Sequence, residues 1–246
     1  MKYPLLFLLA ACGPGIETPS LDAAATRNDA PPSPRDAAPD SAATAYRHTI
    51  AIDGTNDFVA AETFATTSSP SYRAMISWDD DNVYLGYSGP DLDPTVAAAS
   101  TKWLFAYIDV DPGTATGATA SQTYNTQSAT LPAGFGAEYH VRRKSDGTLT
   151  SLEAYASGAW STSMTTPTVA QTAAFVELAI PRAALGAPGK IAVTTWMINE
   201  GNLVESTYAG LYAGNFVDGY DANATKAIAI DFTASRAPND PANAAP

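Results

Sequence analysis

The chain has one cysteine and two histidines in 246 residues. A single cysteine excludes an intrachain disulfide and a cysteine-based zinc site. His48 and His140 are too few for a histidine-rich metal centre, and a catalytic triad would have to use one of them. There is no G-x-S-x-G elbow, since "GYSGP" around Ser88 has the wrong spacing. Positive charge is also scarce: 13 Lys+Arg stand against 25 Asp+Glu, a formal net charge of −12. Binding nucleic acid requires a basic face that replaces phosphate counterions, and docking on anionic lipid requires the same sign. Both are excluded as partners, which leaves neutral molecules such as sugars, and divalent cations. Long apolar runs are missing too; Leu5 to Ala11 is far too short to span a bilayer.

That short run leads to the lone cysteine. "MKYPLLFLLAACG" carries Lys2, an apolar stretch, small residues, then Cys12. "LAAC" resembles a bacterial lipobox, in which the cysteine is lipidated (diacyl plus N-acyl, palmitate-type chains) and becomes the first mature residue. The alternative is an ordinary signal peptide with a chance cysteine. Residues 1–11 are then a lipoprotein signal. Gly13, rather than Asp, after the cysteine leans toward the outer membrane or cell surface of a bacterial envelope. Residues 12–46 are Pro, Ala, Asp and Ser with few residues able to bury area, so they read as a disordered tether. Fully extended, it would reach roughly 100 Å. Residues 234–246, "ASRAPNDPANAAP", read as a disordered tail.

Between them, residues 47–233 carry no convincing helix. Hydrophobic residues make up 46 % of the chain, enough for a full core. The pattern is short strands with period-two alternation between Gly, Pro, Asn and Asp, which predicts an all-β, two-sheet antiparallel sandwich of jelly-roll or immunoglobulin size. "DDDN", Asp79–Asn82, reads as a hairpin turn. Asp146-Gly147 is a two-residue turn signal that sets His140 opposite Glu153, Arg142 opposite Ser151 and Glu138 opposite Tyr155, all on one polar face. That face reads as solvent-exposed; the sharper alternative is a catalytic carboxylate group built on Glu138, His140 and Glu153.

The stretch "WLFAYIDVDPG" puts Trp103, Phe105, Tyr107 and Asp109 on one face and Leu104, Ala106, Ile108 and Val110 on the other. Both faces are largely apolar, so this is a central strand. Its rings are either core or one side of a sugar-stacking platform. Trp78, Trp160 and Trp196 are the remaining indoles, and Trp160, in the polar "SGAWSTS", is the one expected to be exposed. Trp160, Trp103, Tyr107, Trp78 and Trp196 are therefore the candidate ligand-binding residues. Asp109 and Asp111 enter a Pro-Gly loop, and Asp218 and Asp221 lie in a second acidic loop; together they are candidate Ca2+ ligands, because hard cations take several oxygens. Thr114–Gly136 is a long polar insertion, either a binding loop or an exposed one.

"IAIDGTNDF", "ISWDDDNVYLGYSGPDL", "WLFAYIDVDPG" and "FVELAIPRAALG" occur in this order. Together they resemble the carbohydrate-binding module family 9-like and DOMON-like β-sandwiches, such as those at the end of glucodextranase-type proteins. The resemblance spans about residues 48–232. It implies a two-sheet sandwich and, in several members, glycan binding with bound calcium. Other members bind haem through Met and His; Met75, Met164, Met197 and His140 are present here, but no pair matches a haem motif. The resulting expectation is a lipid-anchored envelope protein with a non-catalytic polysaccharide-binding module. The alternatives are a structural or adhesion protein with a protein partner and, more distantly, a glycoside-active enzyme.

Overall fold

The computed structural model describes residues 43–246 apart from 69, 125, 163, 164 and 202–205. The signal segment, Cys12, nearly all of the tether and Met164 lie outside the described residues. The strands are β1 (Thr63–Ala65), β2 (Arg73–Trp78), β3 (Asn82–Ser88), β4 (Lys102–Asp109), β5 (Tyr139–Lys144), β6 (Thr150–Ala156), β7 (Ala159–Thr162), β8 (Thr168–Thr172), β9 (Phe175–Pro181), β10 (Lys190–Asn199), β11 (Ser206–Tyr208), β12 (Ala227–Asp231) and β13 (Ala244–Ala245). Among the described residues they form two sheets. One runs β1-β2-β3-β9-β8; the other runs β13-β12-β10-β4-β5-β6-β7, with β11 also paired to β10. The result is the all-β antiparallel sandwich that the alternation predicts.

Alternation explains the space between the sheets. Ile76, Trp78, Val83 and Leu85 from one sheet meet Leu104, Ala106, Ile108, Val141, Leu152, Val193 and Ile228 from the other. Each large apolar side chain buried there contributes about 1.5–3 kcal/mol. On the opposite side of the smaller sheet, Gly86 admits the ring of Phe58; a Cβ there would lie 2.6 Å from Phe58 Cε2. The Asp79 carboxylate accepts from the Asp81 and Asn82 amides at 2.9 and 2.8 Å, closing the β2–β3 hairpin where "DDDN" predicts it.

Three expectations are corrected. The segment His48–Asp53 is extended but joins no ladder; the His48 amide donates to the Trp78 carbonyl at 2.9 Å and the Asp53 amide to Glu177 at 2.7 Å. The domain is longer than 47–233. Tyr46 stacks edge-on against Trp78 at 5.3 Å and donates to Glu62 at 2.6 Å. Residues 234–246 are not a loose tail: Asn239 N–H donates to Ala61 at 2.9 Å, and β13 pairs with β12. Backbone hydrogen bonds supply the order that this Ala/Pro-rich segment cannot draw from apolar area.

The third correction concerns the β5–β6 hairpin. Its register is as predicted, with His140 opposite Glu153 and Arg142 opposite Ser151. Its polar face is not a solvent face. His140 is 0 % exposed and Glu153 3 %. The insertion Thr114–Gly136 folds back over the outside of the larger sheet, and Ala118, Ala129, Leu131 and Phe135 close a second core on Trp103, Phe105, Tyr107 and Trp196. Thr130 bridges Ala120 on one side and Asn223 on the other, so the loop around residues 215–225 is knitted into the same cover.

Candidate functional site

The cover determines which rings a ligand can reach. Trp103 is 5 % exposed, and Tyr107 and Trp196 are 0 %. Tyr107 lies between His140 (4.0 Å, 12° between planes) and Trp196 (5.0 Å, 22°), with no free face. Trp78 is in the inner core at 1 %. These four residues are therefore corrected from platform to core: the insertion occupies the face of Trp103, Tyr107 and Trp196 where a sugar would have to stack, and Trp78 lies between the sheets.

Trp160 is different. It is half-buried on β7. The β6–β7 hairpin turns through Ser157-Gly158, both at positive φ (54° and 82°), the geometry of the tight two-residue hairpin turns. That turn sets Trp160 directly opposite Tyr155, with ring centroids 5.0 Å apart. The inner edge of Trp160 rests on Tyr107 and His140 at 5.8 and 5.5 Å. Its outer side, with Tyr155 and Gly158, forms one wall of a groove of about 310 Å³; the other wall is Ala118–Thr123 of the insertion. That wall carries no charged side chain; Thr119 and Thr123 are exposed on it, whereas Ser121 is buried and its hydroxyl accepts from the Ala129 amide at 2.7 Å. Gln122 is fixed by its backbone amide, which donates to the Tyr107 hydroxyl at 3.0 Å. Tyr155 was not singled out from the sequence, although "YASGAW" contains the Ser-Gly turn that pairs it with Trp160.

A second feature lies at the root of the insertion. Ligand atoms of Asp109, Asp111 and Glu138 all lie within 4.8 Å of one another. Asp109 accepts from the Gly136 amide at 3.1 Å and the Asp111 amide at 3.0 Å. Glu138 accepts from the Val110 amide at 3.0 Å. The Thr116 hydroxyl stands 2.9 Å from both oxygens of Asp111 and from Glu138 Oε1. One hydroxyl has one proton, so it cannot satisfy all three oxygens at once. Burial, then the charges of Glu138 and Asp111, push the Asp109 carboxyl up to about 6. Of the four aspartates expected to share a cation, only Asp109 and Asp111 meet, joined by Glu138. Asp218 accepts from Thr67, and Asp221 from the Ser128 amide at 2.8 Å. The antiparallel β4–β5 register, continued by one residue, sets Glu138 opposite Asp109, a signal the sequence did contain.

The remaining candidates separate. Met75 and Met197 lie in different clusters, and the His140 ring packs against Phe105, Tyr107 and Trp160, so these three supply no haem pair. Glu153 is buried and held by Arg142, His140 is enclosed, and Glu138 is grouped instead with Asp109 and Asp111, so the three do not form one reachable group.

No protein-family model matches the chain, and no curated protein matches it. Among solved structures, a carbohydrate-binding module family 9 from Caldicellulosiruptor kristjanssonii, in complex with cellotriose, is similar at a TM-score of 0.41 and 11 % identity, covering 73 % of this chain and 90 % of that one.

Proposed function

We propose that this chain is a lipid-anchored envelope protein whose sandwich is a non-catalytic module for neutral glycans, with Trp160 and Tyr155 as the stacking pair. The observation that carries this reading is the groove of about 310 Å³ with two partly open rings on one wall and an uncharged wall with exposed threonines, Thr119 and Thr123, on the other. Its volume is at the small end of ligand sites, suited to one or two sugar rings. Aromatic faces take the apolar C–H side of a sugar, and threonine hydroxyls can pair with its hydroxyls. The absence of charge in the lining favours neutral sugars over uronic acids. Cys12 is the proposed lipidation site and the segment from it to the residue before Tyr46 the tether, which would place the module at the bacterial outer membrane or cell surface.

Calcium is the proposed stabiliser. Asp109, Asp111 and Glu138 would hold it: the set is all oxygen, three carboxylates are already close, and their mutual repulsion is what a hard cation relieves. This site would stiffen both ends of the insertion that forms the groove wall.

The adhesion alternative requires a contiguous apolar surface. The exposed large apolar side chains among the described residues are Val59 and Val96 in two loops and Val217 with Tyr220 in a third, so no loop carries more than two. An enzyme reading requires a reachable acid, and Asp109, the carboxyl raised toward neutral pH in this cluster, is 1 % exposed.

The test is a glycan array probed with the protein, with calcium and with chelator. Binding to neutral glycans that weakens in chelator is expected. Silence from the folded protein on a broad array would overturn the glycan reading.

A further inference from the structure

Tyr220 is 53 % exposed and Val217 89 %, in the loop that lines a second groove of about 460 Å³ together with Asp218, Asp221 and Asn223. An exposed tyrosine at a loop tip is ordinarily mobile and unremarked. This one is positioned, because its hydroxyl lies 2.6 Å from that of Thr126 in the insertion. Fixing a ring before a ligand arrives lowers the entropy lost on binding.

The two grooves share one surface. The stretch containing Ala120 bridges the stretch containing Thr130, which bridges the stretch containing Asn223. Backbone hydrogen bonds reinforce the second contact, Thr130 N–H to Ala222 at 3.0 Å and Ala224 N–H to Thr130 at 2.9 Å. Three neighbouring rows at about 4.8 Å spacing put the outer two roughly 10 Å apart. Trp160 faces the first row from outside, and Tyr220 lies in the loop that supplies the third. The strip between them is exposed and polar: Thr119, Thr123, Thr126, Thr130 and Asn223.

We propose that the ligand path is extended, running from the Trp160 groove across this threonine strip to a second stacking position at Tyr220. The occupant is the interior of a neutral polysaccharide chain, not a mono- or disaccharide. The inference rests on the glycan reading proposed above and deepens it. One sugar ring cannot touch both aromatics, whereas a chain of rings carrying hydroxyls along its length matches a hydroxyl-lined strip with an aromatic ring at each end. A folded protein partner would need an apolar centre to the patch, and here the centre is threonine.

The experiment is calorimetric titration of the full chain and its variants with neutral oligosaccharide ladders (β-glucan, xylan, mannan and galactan series, two to six rings). For the native protein, affinity is expected to rise with length beyond two rings. Tyr220→Ala should leave two-ring binding unchanged and weaken six-ring binding about tenfold, the loss expected when one stacked ring is removed. Trp160→Ala should weaken both. Tyr220→Phe keeps the ring and should retain six-ring binding. If native protein binds but Tyr220→Ala changes nothing at any length, the extended path is wrong and the glycan reading stands. Loss of binding in Tyr220→Phe equal to that in Tyr220→Ala would assign the effect to the Thr126 tie and overturn stacking. If no ladder binds native protein, both proposals fall.

Discussion

The two sides of β4 are built by different means. Leu104, Ala106 and Ile108 point between the sheets into a core that is mostly aliphatic and comes mostly from regular strands, with Trp78 and Tyr87 among its few rings. Trp103, Phe105 and Tyr107 point outward into a core of rings, capped by alanines, Leu131 and Phe135 from an irregular insertion. The outer core is also the more polar. Both ring nitrogens of His140, the indole nitrogens of Trp103 and Trp196, and Arg142 Nε find no hydrogen-bond partner among the described residues. Each such group costs about 1–3 kcal/mol unless water reaches it. The inner core therefore provides the frame, and the outer core holds a cover in place at some expense in polar satisfaction. The candidate groove lies along the edge of that cover.

Adjacent residues on β4 test the difference most strongly. Leu104→Ala should destabilise by about 2–5 kcal/mol and Phe105→Ala by about 3–5 kcal/mol in chemical denaturation. Both side chains are nearly inaccessible, at 2 % and 0 %. A loss below 1 kcal/mol for Phe105→Ala alone would mean that the cover is loosely draped and that the outer face is not a true core.

His140 offers a smaller, pH-dependent contrast. Burial first, and Arg142 second, hold its imidazole well below the usual 6.5, so the folded protein keeps it neutral while the unfolded chain takes up a proton. The stability that follows from this is complete above pH 6.5 and is lost as pH falls below it. His140→Phe removes that dependence, so the variant should gain on the native protein by up to about 1.4 kcal/mol per pH unit below 6.5. Parallel stability profiles for the two proteins between pH 7.5 and 5 would show that His140 is not enclosed as described. The difference between proteins is the informative quantity, because Asp109, raised to about 6, acts in the opposite sense as pH falls through 6.

The same contrast explains what could be read in the sequence. Short apolar-rich segments between turn residues, the two apolar faces of β4 and the Asp146-Gly147 turn made the sandwich, the central position of β4 and the β5–β6 register legible. The outer core was not, because Ala118, Ala129, Leu131 and Phe135 follow no strand or helix period. A polar, Gly/Thr-rich insertion gives no sign that it will fold onto a sheet. That is why His140 and Glu153 read as solvent-facing, and why Trp103, Tyr107 and Trp196 read as a possible platform. Trp160 was legible from its Gly-flanked polar setting, whereas Tyr155 and Glu138 came to the candidate sites only through cross-strand register. The C-terminal segment was missed because its order rests on backbone pairing, which composition does not reveal.

The central claim is that the insertion seals one aromatic face and leaves Trp160 as the tryptophan within a ligand's reach. Acrylamide quenching of tryptophan fluorescence tests it directly, comparing native protein with Trp160→Phe. The account predicts a quenchable fraction in the native protein that disappears in the variant, leaving the emission of Trp78, Trp103 and Trp196 protected. Quenching that persists in Trp160→Phe would show that the covered face opens to solutes, and the assignment of the groove as the site would then be wrong.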